Sequence, residues 1–141
     1  MRTHAGVWID HRSAIVVILA DGKSSTTTIA SQTEKPSRTS GGSHQREPWA
    51  HQSVVAEDHR DREYRHALTR FYEAVGKAIA RADDLYLIGS GEARKELLHY
   101  LKEHDRFTGR VRESKPAQEM TEAEMVAETR RFYHLPMQEA S

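Results

Sequence analysis

A chain of 141 residues has room for one core and would leave a second domain starved of apolar side chains. Hydrophobic residues make up 37% and charged residues 30%, and 21 Lys and Arg balance 21 Asp and Glu. That balance excludes a grip on nucleic acid by bulk positive charge, so any RNA contact has to be local and no DNA partner is expected. There is no cysteine, which excludes disulfide scaffolds, thiolate metal sites and cysteine nucleophiles.

In chain order, Ala5 to Asp10 is β-branched and aromatic, and the polar break Asp10-His11-Arg12-Ser13 predicts a hairpin into the next run. That run, Ala14 to Ala20, is apolar at every position, as in a strand covered on both faces. It is far shorter than the roughly 20 residues that span a bilayer. Met1 to His4 lacks the apolar stretch of a signal peptide, so no membrane partner and a cytoplasmic location are expected. Asp21-Gly22 suits the positive φ angles of a tight turn. Lys23 to Ser31, rich in serine and threonine with Ile29 as its apolar anchor, reads as an edge strand.

Residues 32–52 carry no apolar periodicity but do carry Pro36, Gly41-Gly42 and Pro48, which predicts a long, flexible loop. A helix follows, with Tyr64, Leu68, Phe71, Val75, Ile79 and Ala82 on one stripe. On its other face Asp58–Arg62, Asp61–Arg65 and Glu73–Lys77 stand at the i,i+4 spacing of ion pairs. Leu85 to Ile88 reads as a buried parallel strand feeding, through Gly89-Ser90-Gly91, a helix with Ala93, Leu97, Tyr100 and Leu101 inward and Ser90 as N-cap. A short final strand is expected over Gly109 to Glu113. A last helix is announced by the capping box Thr121-Glu122-Ala123-Glu124, with Met120 and Met125 as its hydrophobic staple. Strands reached through helices add in parallel with right-handed crossovers. The expectation is therefore a single α/β domain over 1–141, with a mixed five-stranded sheet in ribonuclease-H-like βββαβαβα order.

Two segments have the composition of a site. Gly89, Ser90 and Gly91 lie where an open α/β sheet presents ligands, and form a candidate anion-binding turn; a tight structural turn has the same composition. Gly41-Gly42-Ser43-His44-Gln45, flanked by Arg38, Arg46 and Trp49, offers backbone amides, a glutamine able to orient a water, and basic and aromatic groups for RNA; a flexible tether looks the same. Asp10 stands where a two-metal nuclease would want a carboxylate, although aspartate is also a common turn residue. Nine histidines are scattered without the i,i+4 pair of a zinc site, and no motif calls for a metal or a cofactor.

Gly6 to Arg12, Arg38 to Gly42, Leu87 to Leu97 and the Met120-Thr121 helix start resemble small bacterial proteins related to the middle domain of eukaryotic and archaeal peptide-chain release factors and of Pelota. The resemblance covers nearly the whole chain. It implies the ribonuclease-H-like fold, a ribosome or tRNA partner, and a Gly-Gly-Gln loop promoting hydrolysis of the peptidyl-tRNA ester. Gly41 and Gly42 match that loop, but Ser43 follows and glutamine comes only at Gln45, a displacement of several ångströms where positioning errors of about 1 Å are costly. The leading expectation is a translation-associated domain. In it Gly41, Gly42 and Gln45 would be catalytic if it hydrolyses, and Arg38, Arg46 and Trp49 would contact RNA. The alternatives are a non-catalytic homo-oligomer that buries a strand edge, and a metal-dependent nuclease centred on Asp10.

Overall fold

The computed structural model describes the backbone of residues 2–32 and 50–134, and the side chains of those residues other than 50–58. The elements are β1 (His4–Ile9), β2 (Ser13–Ala20), β3 (Lys23–Ala30), α1 (Ala50–Ile79), β4 (Asp84–Gly89), α2 (Gly91–Glu103), β5 (Arg110–Pro116) and α3 (Glu122–Phe132). They form an α/β structure whose open, mixed five-stranded sheet has the order β3-β2-β1-β4-β5. β2 lies antiparallel to β1 and β3, whereas β4 runs parallel to β1 and β5 parallel to β4.

Local chemistry explains the corners. Asp10 accepts the Arg12 and Ser13 N–H groups on Oδ1 at 2.8 and 2.9 Å, which folds the β1–β2 hairpin around its carboxylate. Asp21 and Gly22 both take positive φ, 57° and 76°, the conformation a two-residue hairpin with the right strand twist requires. The capping box of α3 is formed in both directions: Glu124 N–H donates to Thr121 Oγ1 at 3.1 Å, and Thr121 N–H to Glu124 Oε1 at 2.8 Å. Met120 and Met125 pack in the same cluster, as a staple would.

The sheet is covered on both faces, and alternation along each inner strand divides the core. Ala5, Val7, Ile9, Ala14, Val16, Leu85 and Leu87 pack with α1 and α2, through Leu68, Phe71, Val75, Ile79, Leu97 and Leu101. Trp8, Ile15, Val17, Leu19, Tyr86 and Ile88 face α3 and its fully buried Met125. That two-sided burial is why β2 reads as an unbroken apolar run. α3 lies close on β1: a Cβ at Gly6 would stand 2.3 Å from Thr129 Oγ1, so only glycine lets helix and strand approach this far. Tyr86 stacks on Phe132 with centroids 3.9 Å apart and donates its hydroxyl to Glu128 at 2.6 Å, giving this face a directed polar contact.

Several expectations are adjusted. The final strand extends to Pro116 rather than ending at Glu113, and it is exposed along most of its length. α1 begins at Ala50, inside the segment expected to be loop. Glu73 and Lys77 approach to 3.7 Å, but Asp61 and Arg65 form no ion pair; His59 and Glu63 do, at 3.2 Å, and the Asp58 side chain of the expected Asp58–Arg62 pair lies outside those described. Exposed i,i+4 pairs are worth only a few tenths of a kcal/mol, too little to fix one partner choice over another. No helix among the described residues is long and apolar enough to cross a membrane.

Candidate functional site

The carboxyl ends of β1 and β4 are where strand connection changes from hairpin to crossover, the usual place for a ligand in an open α/β sheet. Gly89 has φ +128°, and a Cβ there would lie 2.2 Å from the Ile9 carbonyl oxygen and 2.7 Å from its nitrogen. The two strand ends therefore meet backbone to backbone, and Ser90 N–H donates to the same carbonyl at 2.9 Å. Ser90 Oγ is turned to its own helix, where it accepts the Ala93 N–H at 3.5 Å, and Glu92 sits in the first turn. Arg94 donates to the Gly89 carbonyl at 3.2 Å and to Ser114 Oγ at 2.8 Å, fastening β4 to β5. Gly91 differs from Gly89: the nearest atom to a Cβ there is the end of Arg94, at 3.7 Å. Of the anion-turn candidates, Gly89 and Ser90 are thus engaged in closing the turn, and Gly91 is unconstrained by packing.

Beside this turn the fold assembles a group that sequence reasoning did not single out. Glu96, on the flank of α2, accepts the Tyr72 hydroxyl on Oε1 at 2.6 Å, and His11 Nε2 from the β1–β2 hairpin lies 3.1 Å from the same oxygen. Burial, and then the Glu96 carboxylate, push the Tyr72 hydroxyl pKa well above its ordinary value, so it stays a donor. Tyr64, just over two turns toward the start of α1, is pushed up by burial and by Glu96 as well. A histidine held against a carboxylate is the arrangement that orients an imidazole for proton transfer. No pairwise signal in the sequence announces it, since His11 and Glu96 are 85 residues apart.

Asp10 is a hairpin residue here: Oδ1 takes two backbone N–H groups and Oδ2 stands 3.5 Å from Arg12. Among the described residues no group of three or more His, Asp or Glu is placed to hold a metal ion. Arg38, Gly41, Gly42, Gln45, Arg46 and Trp49 lie outside the described residues. The chain enters that segment at this same edge, where Ser31 N–H donates to the Arg12 carbonyl at 2.9 Å. It returns as α1, whose 30 residues extend about 45 Å against about 20–27 Å for strands of six to eight residues. Apart from half-buried Tyr64, residues 59–66 of α1 are exposed, and burial begins at Ala67, so the helix overshoots the sheet.

No known protein-family model matches the chain, and no curated protein sequence matches it.

Proposed function

We propose that the sheet is a ribonuclease-H-like plan of the release-factor-middle-domain kind and that the chain is a translation-associated domain contacting the ribosome or tRNA. The observation that supports it is the strand order β3-β2-β1-β4-β5, with two parallel crossovers and a helix that overshoots the edge at which the Gly41-Gly42 segment is attached. In this reading Gly41 and Gly42 supply close-approaching backbone, Gln45 a water-orienting amide, and Arg38, Arg46 and Trp49 the RNA contacts. Sedimentation with ribosomes, together with release of peptide from peptidyl-tRNA, tests it. Co-sedimentation with turnover that falls in Gln45→Ala supports hydrolysis; co-sedimentation with no turnover above that variant leaves a binding domain. Absence of both ends the proposal.

A second reading, a homo-oligomer joined through a sheet edge, draws on the contrast between the edge strands. β3 pairs with β2 in unbroken register over eight residues and carries one charge, Lys23, whereas β5 is broken by a bulge and carries Arg110, Arg112, Glu113, Lys115 and Pro116. Light scattering decides: a stable dimer favours it and a monomer at all concentrations removes it.

A further inference from the structure

The opposite end of the sheet, at the amino ends of the parallel strands, gathers arginine from four separate segments. Arg2 precedes β1, Arg81 follows α1, Arg106 follows α2, and Arg110 and Arg112 open β5; all five are exposed. Their backbones are brought together by specific contacts. Arg110 N–H donates to the Asp83 carbonyl at 2.8 Å. Gly109 lies so close to the Ala82 and Asp83 carbonyls that a Cβ there would stand 2.7 and 2.6 Å away. Arg106 Cβ is 3.6 Å from where a Cβ of Gly76 would be, and its N–H donates to the Leu101 carbonyl at 2.9 Å, so the ends of α1 and α2 meet there.

The bulge in β5 belongs to this arrangement. Leu85 pairs with Val111 and Tyr86 with Glu113, so Arg112 is the extra residue. A bulge re-aims a side chain, and here Arg112 reaches Asp84 Oδ1 at 3.5 Å while Arg2 reaches Oδ2 at 3.3 Å. One fully buried carboxylate is shared by two guanidinium groups and by His4, at 2.9 Å. Arg81, Arg106 and Arg110 form no ion pair among the described residues. The acids nearby offset part of this charge: Asp83, which accepts the Thr3 N–H at 2.9 Å, Glu103, which pairs with His99 at 3.3 Å, and exposed Asp105, while exposed Lys102 in the last turn of α2 adds to it. Cations after α1 and α2 also offset the helix macrodipoles, which accounts for Arg81 and Arg106. It does not account for Arg110, which lies on strand; Arg2 and Arg112 are the partners of Asp84.

We propose that this arginine-lined end is a second, phosphate-binding surface for RNA, which rests on the translation reading above and places an RNA contact at the end of the sheet opposite the one where Ser31 meets the β1–β2 hairpin. Neutral overall charge is consistent with it, because these five exposed arginines gather at one end while Glu92, Glu122 and Glu124 stand in the first turns of helices at the other. Arginine, whose planar fork matches phosphate oxygens, is the residue type to expect in such a place.

The test measures binding of a fluorescein-labelled RNA hairpin to the full chain across a salt series, alongside ribosome co-sedimentation. Arg81→Glu/Arg106→Glu/Arg110→Glu is expected to weaken hairpin binding at least about tenfold and to lower the slope of log K against log salt by about 2, from roughly 0.7–0.9 per phosphate contact. The triple Gln variant should fall between it and the wild type. The variant Arg62→Glu/Arg65→Glu/Arg70→Glu, at three exposed positions of α1 and with the same change in net charge, should bind within about twofold of wild type. Circular dichroism confirms that each variant is folded. If the arginine variants bind as the wild type does, or if both triple Glu variants lose binding equally, the surface is refuted while the translation reading stands. If the hairpin is bound through these arginines but ribosomes are not, the surface stands and the translation reading falls. Absence of any RNA or ribosome binding refutes both.

Discussion

At the carboxyl ends of β1 and β4 the chain closes on itself through backbone atoms, whereas at their amino ends it is held by one buried charge surrounded by arginines. The first end depends on the absence of a side chain at Gly89, where the Ile9 carbonyl occupies the space a Cβ would need. The second depends on the presence of one, since Asp84 takes Arg2, His4 and Arg112 on a carboxylate with no exposed surface. Steric closure is indifferent to pH and salt; electrostatic closure responds to both. The two ends of one sheet should therefore fail under different treatments.

The largest effect is expected at the backbone-closed end. Gly89→Ala puts a Cβ against backbone that cannot rotate away, at a φ that L-residues avoid, and should cost about 3 kcal/mol or more in urea unfolding. A cost below about 1 kcal/mol would show that the two strand ends do not meet as described. Next, Asp84→Asn keeps the shape and removes the charge, and should cost about 2–3 kcal/mol, tempered by the solvent that reaches Arg2 and Arg112. Burial raises the Asp84 carboxyl pKa, but Arg2 and His4 outweigh it and hold the group below its ordinary value of 3.8. A depressed carboxylate stabilises the fold fully above its unfolded pKa, and that contribution is lost as pH falls through the lower folded value. Wild-type stability should thus drop below about pH 4 with a component that Asp84→Asn lacks. Parallel acid profiles for the two proteins would remove the electrostatic half of the comparison.

The backbone-closed end was the more legible of the two in the sequence. The Asp10-His11-Arg12-Ser13 hairpin, the Thr121 capping box and Ser90 as N-cap are local signals, each decided within a few residues. Asp84 and its partners were not legible. Arg2 and His4 are 82 and 80 residues away, and Asp83-Asp84 before an apolar run reads as a polar boundary. β5 was only half visible for a related reason: its charged, exposed residues have little strand preference, and pairing with β4 makes them a strand. His11 and Glu96 stayed hidden because each alone is an ordinary surface residue, and only the packing of α2 beside the hairpin joins them.

A smaller effect is expected where a side-chain network does occur at the backbone-closed end. Glu96→Gln weakens the acceptor shared by Tyr72 and His11, and Tyr72→Phe removes one of its donors; each should cost about 1 kcal/mol. Because both act on the same oxygen, the double variant should cost less than the sum of the two, with a coupling of about 0.5–1 kcal/mol in a double-mutant cycle. Strict additivity would mean that the hydroxyl and carboxylate do not share that bond in solution.

The smallest effect sharpens the comparison most. Gly91 stands two residues beyond Gly89 but lacks its positive φ, and a Cβ there would meet nothing closer than the mobile end of Arg94. Alanine fits, restricts the unfolded chain and should stabilise by about 0.5 kcal/mol. Packing therefore gives no reason for glycine at this position, and binding tests whether close approach by a ligand does. If Gly91→Ala weakens binding of the RNA hairpin while the fold is at least as stable as before, the Gly89-Ser90-Gly91 turn contacts a ligand. If stability rises and binding is untouched, the turn serves closure alone, and recognition at this edge has to come from elsewhere.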